Sequence, residues 1–281
     1  EQFSQAFCVG SFLKGSFLIK PTINTENKKT RRLKFIERRG KAIFRKSTKE
    51  WRVSAFFKSI AHHYDLVNTI ASLGQHHHWR KFTVEKTNLS SGQRVLDVCC
   101  GTGMITKDLA RKVGPRGNVV GLDLSPEMLA VAEKNLADFE LKSIIQLVNG
   151  NAMALPFPDN SFDRVIIGYG LRNVTDMRQA LRELYRVLKP EGKAVSLELA
   201  KPYPPIFNKL YYLYMARIVP LTGLIFTSNK EAYLYLHDSV LTYPHQYEVT
   251  HIFEQIGFEE VNCFELSWGI AAVHVGTKPY S

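Results

Sequence analysis

Two acidic residues and two glycines form the clearest ligand-binding pattern in the sequence. The run Asp97-Val98-Cys99-Cys100-Gly101-Thr102-Gly103 ends an apolar stretch. Glycines let the backbone approach a ligand closely, and a helix that begins next presents free N–H groups. The Asp97 carboxylate can orient this turn or accept a hydrogen bond from a ligand amine. Asp123 comes 20 residues after Gly103, at the end of the next apolar stretch, where a carboxylate can bind both hydroxyls of a ribose.

A third element of this pattern is Gly150-Asn151-Ala152, which follows another apolar stretch. An adenine N6 amine at this place would need a carbonyl oxygen to accept its hydrogen bond. An NAD site would also need a third glycine near position 106, which is Thr106 here. The pattern therefore predicts an adenosine-containing cofactor and weakens the hypothesis of an NAD-dependent oxidoreductase.

The segments around these residues alternate between strand-like and helical patterns. Strands are predicted over 94–98, 118–124, 144–148, 162–169 and 194–199, and helices over 105–113, 126–137 and 177–188. Ser125 is the expected N-cap of the second helix, with Pro126 as its first residue, and Gly192 is expected in the turn before the fifth strand. Strands 258–266 and 269–277 are separated only by Ser267-Trp268 and predict a hairpin. The fold class is therefore α/β, with a doubly wound, mostly parallel seven-stranded sheet that ends in an antiparallel hairpin.

The net charge of +11 is concentrated near one end of the chain. Residues 1–50 carry 13 Lys or Arg and 4 Asp or Glu, a local charge of +9 that leaves +2 for the other 231 residues. We expect a basic, flexible arm over 1–50 and one domain over 51–281. The arm fits three hypotheses: an organellar transit peptide, a polybasic segment that binds anionic lipid or nucleic acid, or a solvated tail that need not belong to the native mature chain.

Composition narrows the class of protein further. Hydrophobic residues make up 45% of the chain and charged residues 22%, which excludes global disorder. The most apolar segment, 206–226, is interrupted by polar and charged residues, so no membrane-spanning helix is expected. The cysteines have no paired spacing, so we expect a reduced compartment and no metal site; they are Cys8, Cys99, Cys100 and Cys263.

These motifs resemble those of known enzymes. The run from Asp97 to Gly103, Asp123, Asn151-Ala152 and residues 156–163 resemble the motifs of class I S-adenosylmethionine-dependent methyltransferases. More narrowly, residues 51–279 resemble the ubiquinone/menaquinone biosynthesis C-methyltransferase family. Three signatures carry this resemblance: Tyr64-Asp65-Leu66-Val67-Asn68 with Ser72, Gly74, His76 and Trp79; Gly170-Leu171-Arg172-Asn173-Val174; and 186–192 through Leu197-Glu198. Residues 99–102 and 167–170 look more like the demethylmenaquinone methyltransferases of Gram-positive type than the ubiquinone-type enzymes. Met104, Val67 and Ala200 depart from the family pattern.

The resemblance implies S-adenosyl-L-methionine as cofactor and gives a set of binding residues. Family contacts carry over to Thr102, Asp123, Asn151, Ala152 and Gly168, in addition to Asp97, Gly101 and Gly103. Gly168 offers only its backbone, where ubiquinone-type relatives offer a Ser hydroxyl. Met104 stands where the family often has an acid, so one partner for the methionine ammonium is missing.

The implied reaction is methylation of a ring carbon of a reduced prenylated quinol, demethylmenaquinol to menaquinol. It needs a proton acceptor, a partner for the developing oxyanion and close alignment. It requires no metal, because a sulfonium is already a strong electrophile. Arg172 follows the fourth strand and is the candidate that holds the oxyanion, with a structural ion pair as the alternative. Tyr64 and Asn173 are candidates for relaying the proton through water, whereas His274 and the run 76–78 are expected to be core and non-metal histidines.

The expected partners follow from the same resemblance. They are the prenylated quinol and the surface of a membrane, with no nucleic acid; a homodimer is compatible with the family. Helices in 51–70 are expected to close over the cofactor, and an insertion near 202–240 to cover the substrate, although its aromatic residues fit core packing equally well. The expected location is the cytoplasm at the membrane, or an organelle if the arm is a transit peptide.

Several other functions stay open from the sequence. A ubiquinone-type or plastid-type quinol is an alternative substrate, and a non-catalytic cofactor-binding subunit of a quinone-synthesis complex is an alternative role. A methyltransferase acting on RNA would use the basic arm to bind phosphates. The near-neutral body of the chain and the lack of an Asn-Pro-Pro-Tyr-like motif disfavour this last hypothesis.

Overall fold

The computed structural model describes residues 53, 57–58, 60–203, 208–209, 211–217, 235 and 238–280. The predicted basic arm, 1–50, lies outside the described residues. So does much of the predicted substrate cover, at 204–207, 210, 218–234 and 236–237.

The described residues form one seven-stranded sheet in the order β3-β2-β1-β4-β5-β7-β6. The strands are β1 Arg94–Val98, β2 Asn118–Asp123, β3 Ile145–Asn149, β4 Phe162–Gly168, β5 Leu188–Leu199, β6 Glu259–Leu266 and β7 Ala271–Thr277. Strands β1 to β5 pair in parallel, and β7 pairs antiparallel with both β5 and β6. The predicted fold class is confirmed, including the terminal hairpin.

Helices cover both faces of this sheet. They include α1 Tyr64–Ala71, α2 Gln75–Lys86, α3 Met104–Val113, α4 Pro126–Asn135, α5 Met177–Val187 and α6 Gln246–Ile256. Side chains of a strand alternate between faces: Leu96 packs in the apolar cluster with Leu184 and Phe253, whereas Val95 packs with Leu109 and Trp79. Near-continuous apolar strands are therefore buried on both faces, as a doubly wound sheet requires.

The local signals at helix starts predict the observed caps. Ser125 Oγ accepts a hydrogen bond from Met128 N at 3.2 Å, and Pro126 occupies the first turn, as expected. The structure differs from the sequence prediction at Gly192, which lies inside β5 and not in a turn before it. The reason is that Leu188 already pairs with Phe162 of β4, and a register shift between Phe162 and Arg164 absorbs the extra residues.

Among the described residues, no helix has both the length and the apolar character needed to span a bilayer.

Candidate active site

A cavity lies at the carboxyl ends of β1, β2 and β4, and we call it the strand-end cavity. Ligands bind in this crevice of open parallel sheets because loops from neighbouring strands meet there. Seven of the sequence-predicted site residues line it: Tyr64, Gly101, Asp123, Asn151, Ala152, Gly168 and Asn173.

Asp123 is fixed at the end of β2 by the backbone. Its Oδ2 accepts from Gly101 N at 2.8 Å and its Oδ1 from Ser125 N at 2.9 Å. Burial raises its pKa, against the lowering effect of these N–H groups. An ionised carboxylate offers about four acceptor positions, so both oxygens can still accept from the hydroxyls of a ribose.

Three successive residues of the glycine turn have different structural roles. Gly101 has φ +55°, and a Cβ built there would meet no protein atom within 4 Å, so its backbone is open to a ligand. Gly103 has φ +80°, and a Cβ there would lie 3.1 Å from the Ala132 Cβ, so it allows α3 to pack against α4. Thr102 is buried outside the cavity lining and donates to Asp65 Oδ1 at 2.9 Å, which holds α1 over the turn.

Asp97 is 1% exposed, lies behind the turn, and is not among the residues that line the cavity. Its Oδ2 accepts from Thr106 Oγ1 at 2.6 Å. Thr106 is the residue at which an NAD site would need glycine, and here its hydroxyl group supports Asp97 instead. Burial raises the pKa of Asp97 to about 7. The structure therefore places Asp97 as a support of the turn.

The adenine end of the predicted site is a tight turn after β3. Asn151 Oδ1 accepts from Met153 N at 2.9 Å, and an isolated bridge joins Asn151 to Ala154. At the other side of the cavity, a Cβ on Gly168 would lie 2.4 Å from Ile105 Cδ1. A serine at this position would require Ile105 to move.

A second, larger cavity adjoins the first, and we call it the apolar cavity. It has a volume of about 290 Å³, and its lining includes Trp79, Leu199, Tyr211, Tyr214, Met215 and Ile270. Tyr169 lines both cavities. Three residues of the predicted substrate cover, Tyr211, Tyr214 and Met215, thus line a cavity, and Tyr211 and Met215 also belong to a buried apolar cluster.

Arg172 lines the apolar cavity and forms a buried ion pair with Glu198. The side chains are 6% and 1% exposed. Arg172 also donates from its backbone N to Glu198 Oε2 at 3.2 Å and from Nη1 to Tyr169 O at 3.1 Å. Burial acts to lower the pKa of Arg172, but the attraction of Glu198 outweighs it and the pKa stays above its ordinary value.

Tyr64 and Asn173 line the strand-end cavity, and each interacts with a residue that lines the apolar cavity. Burial raises the pKa of Tyr64, whose side chain is hydrogen-bonded to Asn68, a residue of the apolar cavity. Asn173 donates from Nδ2 to Tyr169 O at 2.8 Å and accepts from Tyr235 Oη at 2.9 Å. Asn173 is thus held against Tyr169, the residue that lines both cavities.

Sequence reasoning about the site missed Glu198 and Tyr169. The signal for Glu198 is a single acid in the apolar run Val195-Ser196-Leu197-Glu198-Leu199, because a buried charge needs a partner. His274 is buried and 2.9 Å from Gln246 O through Nε2, which is the environment of a core histidine. Within the described part of the chain, no group of three or more His, Cys, Asp or Glu could hold a metal ion.

The sheet order and the glycine turn with Asp123 opposite it are those of the class I methyltransferase fold. Two solved structures share the fold. One is a SAM-dependent methyltransferase from Aquifex aeolicus (TM-score 0.53, 20% identity, 71% of this chain and 89% of that chain). The other is a possible histamine N-methyltransferase from Thermotoga maritima (TM-score 0.55, 19% identity, 80% and 99%).

The chain belongs to the ubiE/COQ5 methyltransferase family, whose model matches residues 45–278. Curated relatives named demethylmenaquinone methyltransferase include one from Shouchella clausii, 45% identical over 83% of this chain and 98% of its own length. Another, from Desulfitobacterium hafniense, is 44% identical over 79% and 88%. The protein is thus an enzyme that uses S-adenosylmethionine, and the open backbone at Gly101 and the free acceptor capacity of Asp123 fit the adenosine of that cofactor.

Proposed function

We propose that the protein methylates a ring carbon of a reduced prenylated quinol, converting demethylmenaquinol to menaquinol. The relatives that share 43–45% identity with the chain carry the name of this activity. The observation that carries the proposal is the apolar cavity of about 290 Å³, which shares Tyr169 with the strand-end cavity and contains a buried guanidinium. An aromatic ring with an ionisable hydroxyl and an apolar tail matches this combination.

The chemistry divides between the cofactor and the protein. The cofactor supplies an electrophilic methyl group. With the cofactor bound, this methyl group would pass to a ring carbon of the quinol, and S-adenosylhomocysteine would leave. That carbon would then give its proton to water, and the ring oxyanion would take a proton back, so that one proton is released overall. Attack is faster when a neighbouring ring hydroxyl has given up its proton, because the ring is then richer in electrons.

The roles we assign to the side chains follow from charge and position. Arg172 stays cationic because Glu198 raises its pKa, so it stabilises the oxyanion of the ring without taking up or giving up a proton. Glu198 and Tyr169 O fix the direction of the guanidinium. Tyr64 and Asn173, which are hydrogen-bonded to Asn68 and Tyr169, relay the hydroxyl proton towards water.

The test is a methyl-transfer assay with the full chain, S-adenosylmethionine carrying a labelled methyl group, and chemically reduced demethylmenaquinol. Demethylated benzoquinols of ubiquinone and plastid type are parallel substrates. We expect label in the naphthoquinol, with a kcat/KM at least about tenfold above the benzoquinols. Preference for a benzoquinol would replace the proposed substrate. Cofactor binding without methylation of any quinol would support the non-catalytic alternative.

Arg172→Lys keeps the positive charge but loses the fork geometry of the guanidinium. We expect kcat to fall by about 100-fold or more while the Kd for S-adenosylmethionine is unchanged, since loss of one preorganised donor to an oxyanion typically has this effect. Arg178→Lys is the control, because Arg178 is exposed and contacts Gln255 on the surface. Unchanged kcat in Arg172→Lys would leave Arg172 with only its structural ion pair.

We also propose a peripheral contact with a membrane, which would supply the prenylated substrate. Leu73 lines the apolar cavity and is 77% exposed, so it lies at the opening. Trp268 is 68% exposed, and the preceding residue, Ser267, is bonded to α2: its Oγ accepts from Trp79 Nε1 at 2.8 Å and donates to Gln75 Oε1 at 3.3 Å. Both of these partners line the apolar cavity. Two exposed apolar side chains near this cavity suit the interface of a lipid bilayer. A homodimer and the cytoplasmic location stay predictions.

A further inference from the structure

His76 lies in the wall of the apolar cavity, and its neighbours fix which ring nitrogen carries the proton. Ser72 Oγ is 2.9 Å from His76 Nδ1 and 2.6 Å from Asn68 O. A hydroxyl has one proton, and a carbonyl oxygen can only accept. Ser72 therefore donates to Asn68 O, and His76 Nδ1–H donates to Ser72 Oγ.

The lone pair of the neutral ring must consequently be on Nε2. Ser72 Oγ also accepts from the backbone N of His76 at 3.2 Å, so the hydroxyl makes three hydrogen bonds in this arrangement. Within the described part of the chain, Nε2 has no hydrogen-bond partner. Burial, with the nearby His77 and Arg80, lowers the pKa of His76 to about 4, so the ring is neutral at neutral pH and Nε2 is an acceptor.

The apolar cavity also contains a donor that complements this acceptor. Arg172 lines the same cavity and can only donate. The remaining lining is mostly aliphatic or aromatic, including Leu199, Met215 and Ile270. The cavity thus offers His76 Nε2 as a fixed acceptor and Arg172 as a cationic donor to a ring that bears two oxygens.

We propose that His76 Nε2 accepts a hydrogen bond from a ring hydroxyl of the substrate and thereby selects the reduced quinol over the oxidised quinone. A quinol presents an O–H donor, whereas a quinone presents only carbonyl oxygens, whose lone pairs would face the lone pair of Nε2. Arg172 donates to either form, so the discrimination depends on His76. This inference rests on the proposed function, because it assumes a quinol in the apolar cavity.

The position of His76 is well fixed for this purpose. Tyr64, Asn68, Ser72 and His76 occur at every fourth position, and Ser72 Oγ is hydrogen-bonded both to Asn68 O and to His76. Tyr64 lines the strand-end cavity, and the other three line the apolar cavity. The acceptor is therefore held by the same segment that contacts the cofactor site.

The experiment measures binding of a 2-prenyl-1,4-naphthalenediol probe, kept reduced with dithionite, and of its quinone to the full chain. S-adenosylhomocysteine replaces the cofactor so that no turnover occurs, and calorimetry gives both Kd values. We expect the wild-type chain to bind the diol at least about tenfold more tightly than the quinone, the usual effect of one hydrogen bond with a partner that cannot otherwise be satisfied.

Variants distinguish the effect of the hydrogen-bond acceptor from the effect of how the imidazole ring packs. His76→Leu removes the acceptor and should bring the ratio of the two Kd values close to one, whereas His76→Gln keeps an acceptor oxygen and should keep most of it. Ser72→Ala removes the acceptor that keeps the proton on Nδ1, so that the proton can move to Nε2. This variant should lower the ratio and remains informative if His76→Leu does not fold. His78→Leu, at an exposed position of the same helix, should match wild type.

Two results would overturn the inference. One is a wild-type chain that binds the diol and the quinone equally well, and the other is a His76→Leu variant whose ratio of the two Kd values equals that of the wild type. Nitrogen-15 spectra give a second readout, since a proton on Nε2 at neutral pH would also contradict it. If the wild-type chain prefers the diol but does not methylate it, the proposed function fails and this inference stands. If it methylates the diol while His76→Leu has an unchanged ratio, only this inference fails.

Discussion

At the scale of single residues, the site depends on two buried carboxylates that differ in their hydrogen-bond partners and in their contact with the cavity. Asp123 lines the strand-end cavity and accepts from two backbone N–H groups. Asp97, one strand away, has a single side-chain donor, Thr106, and an Oδ1 that is buried without a partner among the described residues. We therefore expect substitution of Asp123 to change cofactor binding and substitution of Asp97 to change stability.

Asp123→Asn should weaken binding of S-adenosylmethionine by about tenfold or more, because an amide offers one acceptor oxygen where two hydroxyls and two backbone N–H groups need acceptors. Calorimetry of the full chain measures the Kd. Asp138→Asn, at an exposed position, is the matched control. Equal affinities of the two variants would place the ribose elsewhere.

Asp97→Asn should make the stability of the ligand-free protein less dependent on pH. Burial raises the pKa of Asp97 from 3.8 to about 7, so ionisation is less favourable in the folded state than in the unfolded state. The contribution of Asp97 to the free energy of unfolding of the wild type therefore falls by up to about 1.4 kcal/mol per pH unit as pH rises from about 4 to about 7. Above that range this contribution is constant.

Denaturant titrations of both proteins between pH 4.5 and 8 check this prediction. The difference in the free energy of unfolding between Asp97→Asn and wild type should move in favour of the variant as pH rises, and level off near 7. Other groups titrate alike in both proteins and cancel. A difference that does not change with pH would show that Asp97 has an ordinary pKa.

At the scale of elements, the glycine turn joins β1 to α3 and sets how α3 meets α4. Gly101 and Gly103 both have positive φ, but only Gly103 lacks room for a side chain, because Ala132 and Leu136 lie within 3.3 Å of its Cβ position. The two glycines thus have separable effects on stability and on ligand binding.

Gly103→Ala should lower the free energy of unfolding by about 1–3 kcal/mol more than Gly101→Ala, since both have the cost of a left-handed residue and only the first must also push α4 away. Gly101→Ala should instead weaken cofactor binding, because its Cβ points into the strand-end cavity. Thermal unfolding and calorimetry on the two variants measure both effects. The reverse order of stabilities would contradict the packing argument.

Hydrophobic periodicity and turn chemistry predicted the elements well, because both act within a few residues. The Ser125 cap and the position of β1 follow directly from such local patterns. The start of β5 does not follow from them, because Leu188 joins the strand by pairing with Phe162, which is 26 residues away in the chain. Local propensity carries no information about that register.

At the scale of the whole molecule, the opening of the apolar cavity coincides with exposed apolar side chains. Leu73 precedes α2 and Trp268 lies in the β6–β7 connection, and hydrogen bonds from Ser267 to Gln75 and Trp79 join this connection to α2. Tyr280, which is 81% exposed, follows Thr277 of β7, whose partner Lys193 lies towards the amino-terminal end of β5, opposite the cavity. The molecule therefore has an apolar surface at the edge where the proposed substrate enters.

Replacing both Leu73 and Trp268 by Ser should weaken binding of the full chain to phospholipid vesicles by about tenfold or more, because each buried large apolar side chain contributes about 1.5–3 kcal/mol. Sedimentation with neutral and with anionic vesicles measures this, and Tyr280→Ser is the control. If the double variant binds like wild type, the contact lies elsewhere; dependence on anionic lipid alone would favour the basic arm.

The sequence by itself determined the order of strands and helices, the glycine turn and the acid at the end of β2. Short segments are enough to predict these features, because hydrophobic residues recur with the period of a strand or a helix and because glycine or a carboxylate is required at one defined position. Only the tertiary structure decided that Arg172 pairs with Glu198, that Tyr169 lines both cavities, and that Asp97 and Thr102 support the turn from outside the cavity. Such contacts depend on several elements packing together, so no single segment encodes them.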